Sequence, residues 1–241
     1  MKKYNVLLVK SMLIILTLIV IIMVLIKRFV YFRPSSTYLD TVGDYKVINH
    51  LHLYAWLLEG SNNKIILFCQ DRIGNMSYCE DTVIELNNLG YSVLIFDYSG
   101  YGKSYGVPSE QQCYDDVSSI VSLLMRTYKT DEIVLYGTGI GSAISAYASM
   151  RYRIPTLILE YPIENISSVL KDTIPSSMLF LFNEFNTHSY IKNRTDRTLL
   201  IHDNTINTLQ LQIHSTEIII KEKEMPWNKI KEFIENKKEV L

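Results

Sequence analysis

Hydrophobic residues are arranged in two different ways along this chain. Residues 6–26 are apolar with three exceptions, Lys10, Ser11 and Thr17. Beyond this run, short apolar segments alternate with stretches in which apolar residues recur every three or four positions. The first pattern predicts one long apolar helix, and the second predicts strands alternating with amphipathic helices. We therefore expect an N-terminal anchor with its flanks at 1–33 and a second domain at 34–241.

The order of the elements in the second domain indicates its fold class. Two neighbouring strand patterns at 46–51 and 53–58 predict an antiparallel hairpin at a sheet edge. The further predicted elements are strand 64–69, helix 79–88, strand 92–97, helix 110–128, strand 132–136, helix 140–151, strands 156–160, 198–202 and 217–223, and helix 227–236. Strands that alternate with helices are typical of an α/β fold, in which a mostly parallel sheet has helices on both faces.

The apolar run at 6–26 is long enough to cross a membrane. A helix needs roughly 20 residues to span the hydrocarbon core of a bilayer, and the side chain of Lys10 can extend toward the headgroups. The sequence KRFVYFRP that follows the run lacks the small residues of a signal-peptidase site. We therefore expect an uncleaved signal anchor and a single-pass membrane protein. Basic residues on the two flanks balance, so the positive-inside rule leaves the orientation open.

Composition and charge narrow the classes of function. The formal net charge is -1, so no basic excess indicates a nucleic-acid partner. The three cysteines, Cys69, Cys79 and Cys113, fit no metal-binding spacing and are interpreted as buried thiols, so we expect neither a metal nor a cofactor. N-x-S/T sequons begin at three positions, Asn75, Asn165 and Asn193. They permit a lumenal domain and agree with an endomembrane or cell-surface location.

The stretch from Glu132 to Tyr147 holds the most informative local pattern. Strand-type residues run into the glycine-rich turn Gly137, Thr138, Gly139, Ile140 and Gly141, and a helical pattern of apolar residues follows at once. A strand, a tight turn and a helix in this order are the layout in which an α/β-hydrolase carries its nucleophile, as G-x-S-x-G. The nucleophile position is Gly139, which has no attacking atom.

A series of ordered motifs resembles one family of such proteins. The sequence FDYSGYGKS at 96–104, followed by GVPSE at 106–110, resembles the membrane-anchored, single-domain α/β-hydrolases often called serine-aminopeptidase-like or α/β-hydrolase-domain proteins. The segments LILEYP at 157–162 and TLLIH at 198–202 agree with the same family. The resemblance covers residues 40–238 and implies an α/β-hydrolase fold with a serine-hydrolase site.

The catalytic positions that the resemblance implies do not hold the usual residues. The acid position is Ile206, and no histidine occurs beyond His214, where the family carries its base. The loop that supplies oxyanion donors corresponds to Cys69, Gln70 and Asp71. Because nucleophile, acid and base are all unmatched, we predict a pseudoenzyme that binds a protein, or a lipid or acyl ligand, in the former cleft.

Two other functions stay open at the level of sequence. An active esterase or lipase needs relocated catalytic residues, and Ser142, Asp203 and His214 are the candidates. A dinucleotide-binding domain would use 137–142 as a near match to G-x-G-x-x-G. Glu160 then lies about 20 residues further along, where a ribose-binding carboxylate belongs.

Overall fold

The computed structural model describes residues 2–25, 31–182, 184–192, 196–202, 216–220 and 225–235, with the backbone alone at 2–5 and 216–220. The chain divides into two compact units, Met1–Arg33 and Pro34–Leu241. The first unit holds helix α1 (Lys2–Leu25). Its 20 residues Val6–Leu25 are long and apolar enough to cross a membrane, and none of them is buried. At the rise of an α-helix they extend about 30 Å, which is the thickness of a bilayer core.

An eight-stranded sheet forms the centre of the second unit. Its strands are β1 (Lys46–His50), β2 (Leu53–Leu58), β3 (Ile65–Cys69), β4 (Ser92–Phe96), β5 (Ile133–Thr138), β6 (Thr156–Glu160), β7 (Thr198–His202) and β8 (Thr216–Ile220). Their order across the sheet is β1-β2-β4-β3-β5-β6-β7-β8. Strand β2 is antiparallel to both neighbours, and the other pairs are parallel. The predicted mostly parallel sheet with an antiparallel edge hairpin is therefore confirmed.

Helices connect most of these strands. Those described in the second unit are α2 (Glu80–Asn88), α3 (Glu110–Leu124), α4 (Ile140–Tyr152), α5 (Ile166–Leu170), α6 (Thr187–Ile191) and α7 (Trp227–Glu235). Two 3₁₀-helices, Met76–Cys79 and Ser176–Leu181, and two-residue strands at Arg33–Pro34 and Ile73–Gly74 complete the described elements. Helix α3 begins after Ser109, whose Oγ accepts a hydrogen bond from the Gln112 N–H at 3.1 Å, an N-cap that fixes its start.

The central strands are buried along almost their whole length. In β3 every residue is buried, as expected for a parallel sheet that is covered on both faces. Alternate residues of this strand, Ile66 and Phe68, belong to a core cluster that includes Leu86 of α2 and Phe233 of α7. Helix α4 packs against β5 and β6. Because α4 starts at the carboxyl end of the central strand β5, the β5–α4 turn lies where parallel sheets carry their sites.

Candidate functional site

A sharp turn joins the central strand β5 to helix α4. Strand β5 ends at Thr138, α4 begins at Ile140, and Gly139 between them has φ 56° and ψ −119°. A positive φ is unfavourable for a residue with a Cβ, and a strained strand-to-helix turn is what exposes the nucleophile of an α/β-hydrolase. The turn therefore has the backbone of a nucleophile elbow and no side chain at its tip.

Two further glycines let the backbone pack closely around this turn. A Cβ on Gly137 would overlap the backbone of Gly141, and a Cβ on Gly141 would overlap the carbonyl group of Cys69. Contacts within the protein thus account for Gly137 and Gly141, of which only Gly137 is a position of the dinucleotide fingerprint. Glu160, the proposed ribose ligand, is buried and accepts a hydrogen bond from the Tyr136 hydroxyl at 3.0 Å. A carboxylate buried in this way is not exposed to a ribose, which argues against the dinucleotide alternative.

The carboxylate of Asp71 lies over the tip of the elbow. Asp71 belongs to the loop after β3, and its Oδ1 accepts a hydrogen bond from the backbone N–H of Ile140, with an N···O distance of 3.0 Å. A Cβ built on Gly139 would overlap this same carboxylate. Any side chain at position 139, a serine included, therefore requires Asp71 to move.

The position of Ile140 explains why a carboxylate binds there. Ile140 is the first residue of α4, and the amino end of a helix presents free N–H groups and a partial positive charge that favour an anion. Asp71 supplies that anion from within the chain.

The other two residues of the predicted oxyanion segment, Cys69 and Gln70, face the interior. Gln70 is buried, its Nε2 lies 3.5 Å from Asp97 Oδ1, and its backbone carbonyl accepts a hydrogen bond from the Tyr98 hydroxyl at 2.8 Å. Cys69 is also buried, and burial raises the pKa of its thiol to about 12. A thiol with this pKa stays protonated near neutral pH, so Cys69 is not a nucleophile in this conformation.

Of the three candidates for a relocated catalytic set, the structure describes one. Ser142 is buried, and its Oγ donates a hydrogen bond to the Gly137 carbonyl at 3.0 Å. This bond joins the first turn of α4 to β5, so the hydroxyl is directed into the protein and not toward the tip of the elbow. Asp203, His214 and the acid position Ile206 lie outside the described residues, and their roles stay predictions.

Comparison with known proteins identifies the family. The family model described as "Serine aminopeptidase, S33" matches residues 60–232. The chain belongs to this family. A solved structure, the Pyrococcus furiosus esterase Pf2001, superposes with a TM-score of 0.67 at 16% identity, covering 84% of this chain and 98% of the esterase. The predicted α/β-hydrolase fold and family are thus both confirmed.

Curated relatives of this serine aminopeptidase family member are similar over part of their length. It is 29% identical over 184 residues to the uncharacterized protein YfhR of Escherichia coli O157:H7, which is 71% of this chain and 64% of that protein. It is 31% identical over 134 residues to an uncharacterized membrane protein of Saccharomyces cerevisiae, which is 53% of this chain and 47% of that protein. The chain spans between 40% and 64% of the lengths of the curated relatives it matches.

In this family, the backbone N–H that Asp71 binds is in the position of an oxyanion donor. In α/β-hydrolases the N–H of the residue after the nucleophile is one oxyanion donor, and a loop near the start of the sheet supplies another. Ile140 holds the first of these positions, and Asp71 belongs to the loop after β3. A carboxylate therefore lies where the negatively charged oxygen of a tetrahedral intermediate would bind.

A serine, a histidine and an aspartate do come together elsewhere in the domain. Nε2 of His52 lies 2.9 Å from Ser99 Oγ and 3.0 Å from Asp116 Oδ1, and Ser99 Oγ donates to the same Asp116 oxygen at 2.9 Å. A catalytic triad needs the base to meet nucleophile and acid through different ring nitrogens, but here Nε2 meets both. Ser99 is also only 1% exposed. The cluster therefore joins the β1–β2 turn to α3 and is not a second active site.

This cluster could not be predicted from the sequence, because its members belong to no shared motif. His52 is 47 residues from Ser99 and 64 residues from Asp116. Only the hairpin turn and the loop after β4, brought together by the sheet, place them in contact.

The glycine-rich motif at 96–104 surrounds a second buried carboxylate. Asp97 accepts hydrogen bonds from the N–H of Met76 at 2.8 Å, from the N–H of Lys103 at 3.3 Å, and from the Tyr38 hydroxyl. Burial raises the pKa of Asp97. A Cβ on Gly102 would overlap the Asp97 carboxylate. The aspartate and the glycine of this motif thus hold the loop after β4 together.

Proposed function

We propose that this protein is a membrane-anchored α/β-hydrolase-like pseudoenzyme that binds a protein, or a lipid or acyl ligand, in the former catalytic cleft. One observation carries the proposal. The elbow has no side chain at Gly139, and the Asp71 carboxylate fills the space in which a nucleophile would stand. Since the fold is retained without its attacking atom, binding is the function that this geometry supports best.

The same carboxylate disfavours acyl transfer for an electrostatic reason. Hydrolysis of an ester or amide develops a negative charge on the substrate oxygen, which the oxyanion donors must stabilise. A carboxylate on the Ile140 N–H occupies one of these donors and repels the developing charge.

Attachment to a membrane is supported by two independent features. Helix α1 has the length and the composition of a membrane span. One relative, from Saccharomyces cerevisiae, is named as a membrane protein. We propose a single-pass protein in an endomembrane or at the cell surface.

A fluorophosphonate probe tests the absence of an activated nucleophile. The full-length chain in detergent is treated with the probe beside an α/β-hydrolase whose catalytic serine is intact, and both are analysed by intact mass. We expect complete modification of the control enzyme and none of this chain, because in the described part of the chain the tip of the elbow carries no hydroxyl, and Ser99, which contacts His52, is buried. Stoichiometric modification of any serine or threonine would overturn the pseudoenzyme proposal.

An esterase with relocated residues is the second candidate. It is favoured by the names of the structural neighbours, such as the Pyrococcus furiosus esterase. If this candidate is right, the chain cleaves p-nitrophenyl esters, and Asp203→Asn or His214→Asn lowers kcat by roughly 100-fold or more. A rate that neither substitution changes excludes Asp203 and His214 as its catalytic pair.

A further inference from the structure

We propose that the second unit docks onto a lipid bilayer through a surface formed by Leu51, Tyr105 and Val107, here called the tip surface. These side chains are 79%, 80% and 64% exposed. They lie together, because the backbone N–H of Tyr105 donates to the carbonyl of His52, the neighbour of Leu51, at 3.0 Å. Val107 follows two residues after Tyr105 in the same loop.

Leu51 has an unusual conformation for a leucine. It lies in the β1–β2 turn with φ 56°, a left-handed conformation that costs about 1–2 kcal/mol for most residues and that glycine or asparagine adopts more readily. Its side chain projects into solvent, so packing within the domain does not offset this cost. The proposed docking explains a leucine at this position, because its side chain would enter the apolar region of the bilayer.

The residues beside the tip surface fit the headgroup region of a bilayer. Lys103 is exposed, and its Nζ lies 4.9 Å from the ring centroids of both Tyr38 and Tyr54. A lysine two residues before the exposed Tyr105 can bind anionic headgroups while the apolar side chains of the tip surface enter the acyl region. Tyr105 is of the residue type that is enriched at membrane interfaces.

The point at which the chain enters the second unit favours a bilayer over a protein partner. The backbone carbonyl of Ser35 accepts a hydrogen bond from the Gly102 N–H at 3.1 Å, and the Ser35 N–H donates to the Gly74 carbonyl at 2.8 Å. The chain therefore enters this unit beside the loop that carries Tyr105 and Val107. Nine residues separate Leu25, the end of α1, from Ser35, so a membrane that α1 crosses is within reach of the tip surface. The inference rests on this anchoring and not on the absence of catalysis.

Quenching by brominated lipids tests the proposal in the full-length chain. Val107→Trp places an indole at the tip surface, and Met150→Trp is the matched control, since Met150 is 51% exposed near the far end of α4. Both variants are reconstituted into vesicles of phosphatidylcholine and phosphatidylserine with brominated acyl chains, and the parent signal of Trp56 and Trp227 is subtracted. We expect the indole at 107 to be quenched at least about twofold more than the indole at 150, because interfacial residues lie close to the acyl chains. Equal quenching at the two positions overturns the proposal.

A second pair of measurements separates docking from anchoring. Adding Leu51→Asn and Tyr105→Ser to Val107→Trp removes the neighbouring apolar side chains, and we expect quenching at 107 to fall to the level of the control. Unchanged quenching contradicts docking through this surface. Flotation of the vesicles is measured first: a chain that does not float overturns the anchoring and the docking together, whereas a floating chain with equal quenching overturns the docking alone.

Discussion

Position 139 and Asp71 constrain each other. A glycine at the tip of the elbow leaves room for the carboxylate, and the carboxylate, bonded to the Ile140 N–H, fills the space that a side chain at 139 would need. A substitution at 139 therefore has two separate costs, the positive φ and the overlap with Asp71. A serine at 139 therefore requires the Asp71 side chain to move away from the Ile140 N–H.

A double-substitution cycle separates these two costs. We expect Gly139→Ala to lower the free energy of unfolding by roughly 2–4 kcal/mol, of which about 1 kcal/mol comes from the positive φ and the rest from the overlap. In an Asp71→Ala background the same substitution should cost less, about 1–2 kcal/mol, since the overlap with the carboxylate is removed and only the Cβ of residue 71 stays close to the added Cβ, at 3.0 Å. Urea denaturation of the full-length chain in detergent, followed by tryptophan fluorescence, gives the four stabilities. A coupling below about 0.5 kcal/mol would contradict the overlap.

Gly139 and Asp71 differ in how well the sequence alone predicts their roles. The missing nucleophile at Gly139 can be recognised from a motif, because each position of G-x-S-x-G is assigned one by one. Asp71 lies 69 residues from Ile140, and its bond depends on how the loop after β3 folds back over the elbow. The sequence placed Asp71 in the oxyanion loop but did not indicate that its carboxylate would bind the α4 terminus.

At the scale of elements, buried carboxylates hold the loops at the carboxyl edge of the sheet. Asp116 of α3 accepts hydrogen bonds from the N–H of Ser99 at 2.7 Å and from the Gln112 Nε2 at 2.9 Å, besides its contacts with the Ser99 hydroxyl and His52. The order of the strands and of helices α2, α3, α4 and α7 was predictable from periodicity, whereas the five-residue helices α5 and α6 were not predicted. These loop contacts were not predictable, because they join residues of different elements.

The contacts of Asp116 predict that replacing its carboxylate with an amide destabilises the fold. We expect Asp116→Asn to lower the free energy of unfolding by roughly 1.5–3 kcal/mol, because the amide keeps one acceptor oxygen and turns a donor toward N–H and O–H donors. Asp115→Asn is the matched control, since Asp115 is the exposed neighbour on the same helix and should change stability by less than about 0.5 kcal/mol. Denaturant unfolding of both variants measures the difference. Equal stabilities would show that the Asp116 cluster does not hold the loop.

The predicted end of α3 was wrong by four residues, and the reason is local. The helical pattern predicted helix to residue 128, but α3 ends at Leu124. The next residues form hydrogen bonds between positions three apart, such as the bond from the Thr127 N–H to the Leu124 carbonyl at 2.9 Å. A final turn with i to i+3 bonds keeps the helical spacing of apolar residues, so the periodicity alone does not locate the end.

Glu80 fixes the segment before β1 to the start of α2 and predicts a pH dependence. Its Oε1 accepts hydrogen bonds from the N–H groups of Val42 and Gly43, at 2.8 and 3.0 Å, and from the Tyr45 hydroxyl at 2.5 Å. Burial acts to raise the pKa of Glu80, but these hydrogen bonds outweigh it and leave the pKa lowered. A lowered pKa in the folded state means that Glu80 stabilises the fold above its unfolded-state pKa, and that this stabilisation is lost as the pH falls through the folded-state pKa.

We therefore expect Glu80→Gln to cost roughly 1–2 kcal/mol of unfolding free energy at pH 7 and less at an acidic pH, because Glu80 becomes protonated as the pH falls through its lowered folded-state pKa. Glu85→Gln, an exposed position on the same helix, is the control and should cost little at either pH. Urea denaturation at the two pH values measures both variants. A cost for Glu80→Gln that does not change with pH would rule out ionisation as its cause.

At the scale of the whole molecule, the sequon at Asn75 is buried, so its glycosylation state does not show on which side of the membrane the domain lies. Asn75 is fully buried, its Nδ2 donates to the carbonyls of Ser35 and Thr37 at 3.1 and 2.8 Å, and its Oδ1 accepts from the N–H of Ser77 at 3.0 Å. A glycan on this amide would remove these bonds and would not fit in the folded domain. Of the three sequons that permit a lumenal domain, the one at Asn75 is therefore incompatible with the fold when it is modified.

This incompatibility predicts site occupancy in the folded protein. When the full-length chain is expressed in a cell with N-glycosylation and purified in its folded form, we expect Asn75 to carry no glycan. Enzymatic removal of N-glycans converts an occupied asparagine to aspartate, so peptide mass spectrometry shows at each sequon whether a glycan was attached. Asn165 is only partly buried and serves as the internal comparison. A glycan on Asn165 with none on Asn75 would place the domain in the lumen, whereas a folded protein with a glycan on Asn75 would contradict the hydrogen bonds that hold Ser35 and Thr37 at the entry of the domain.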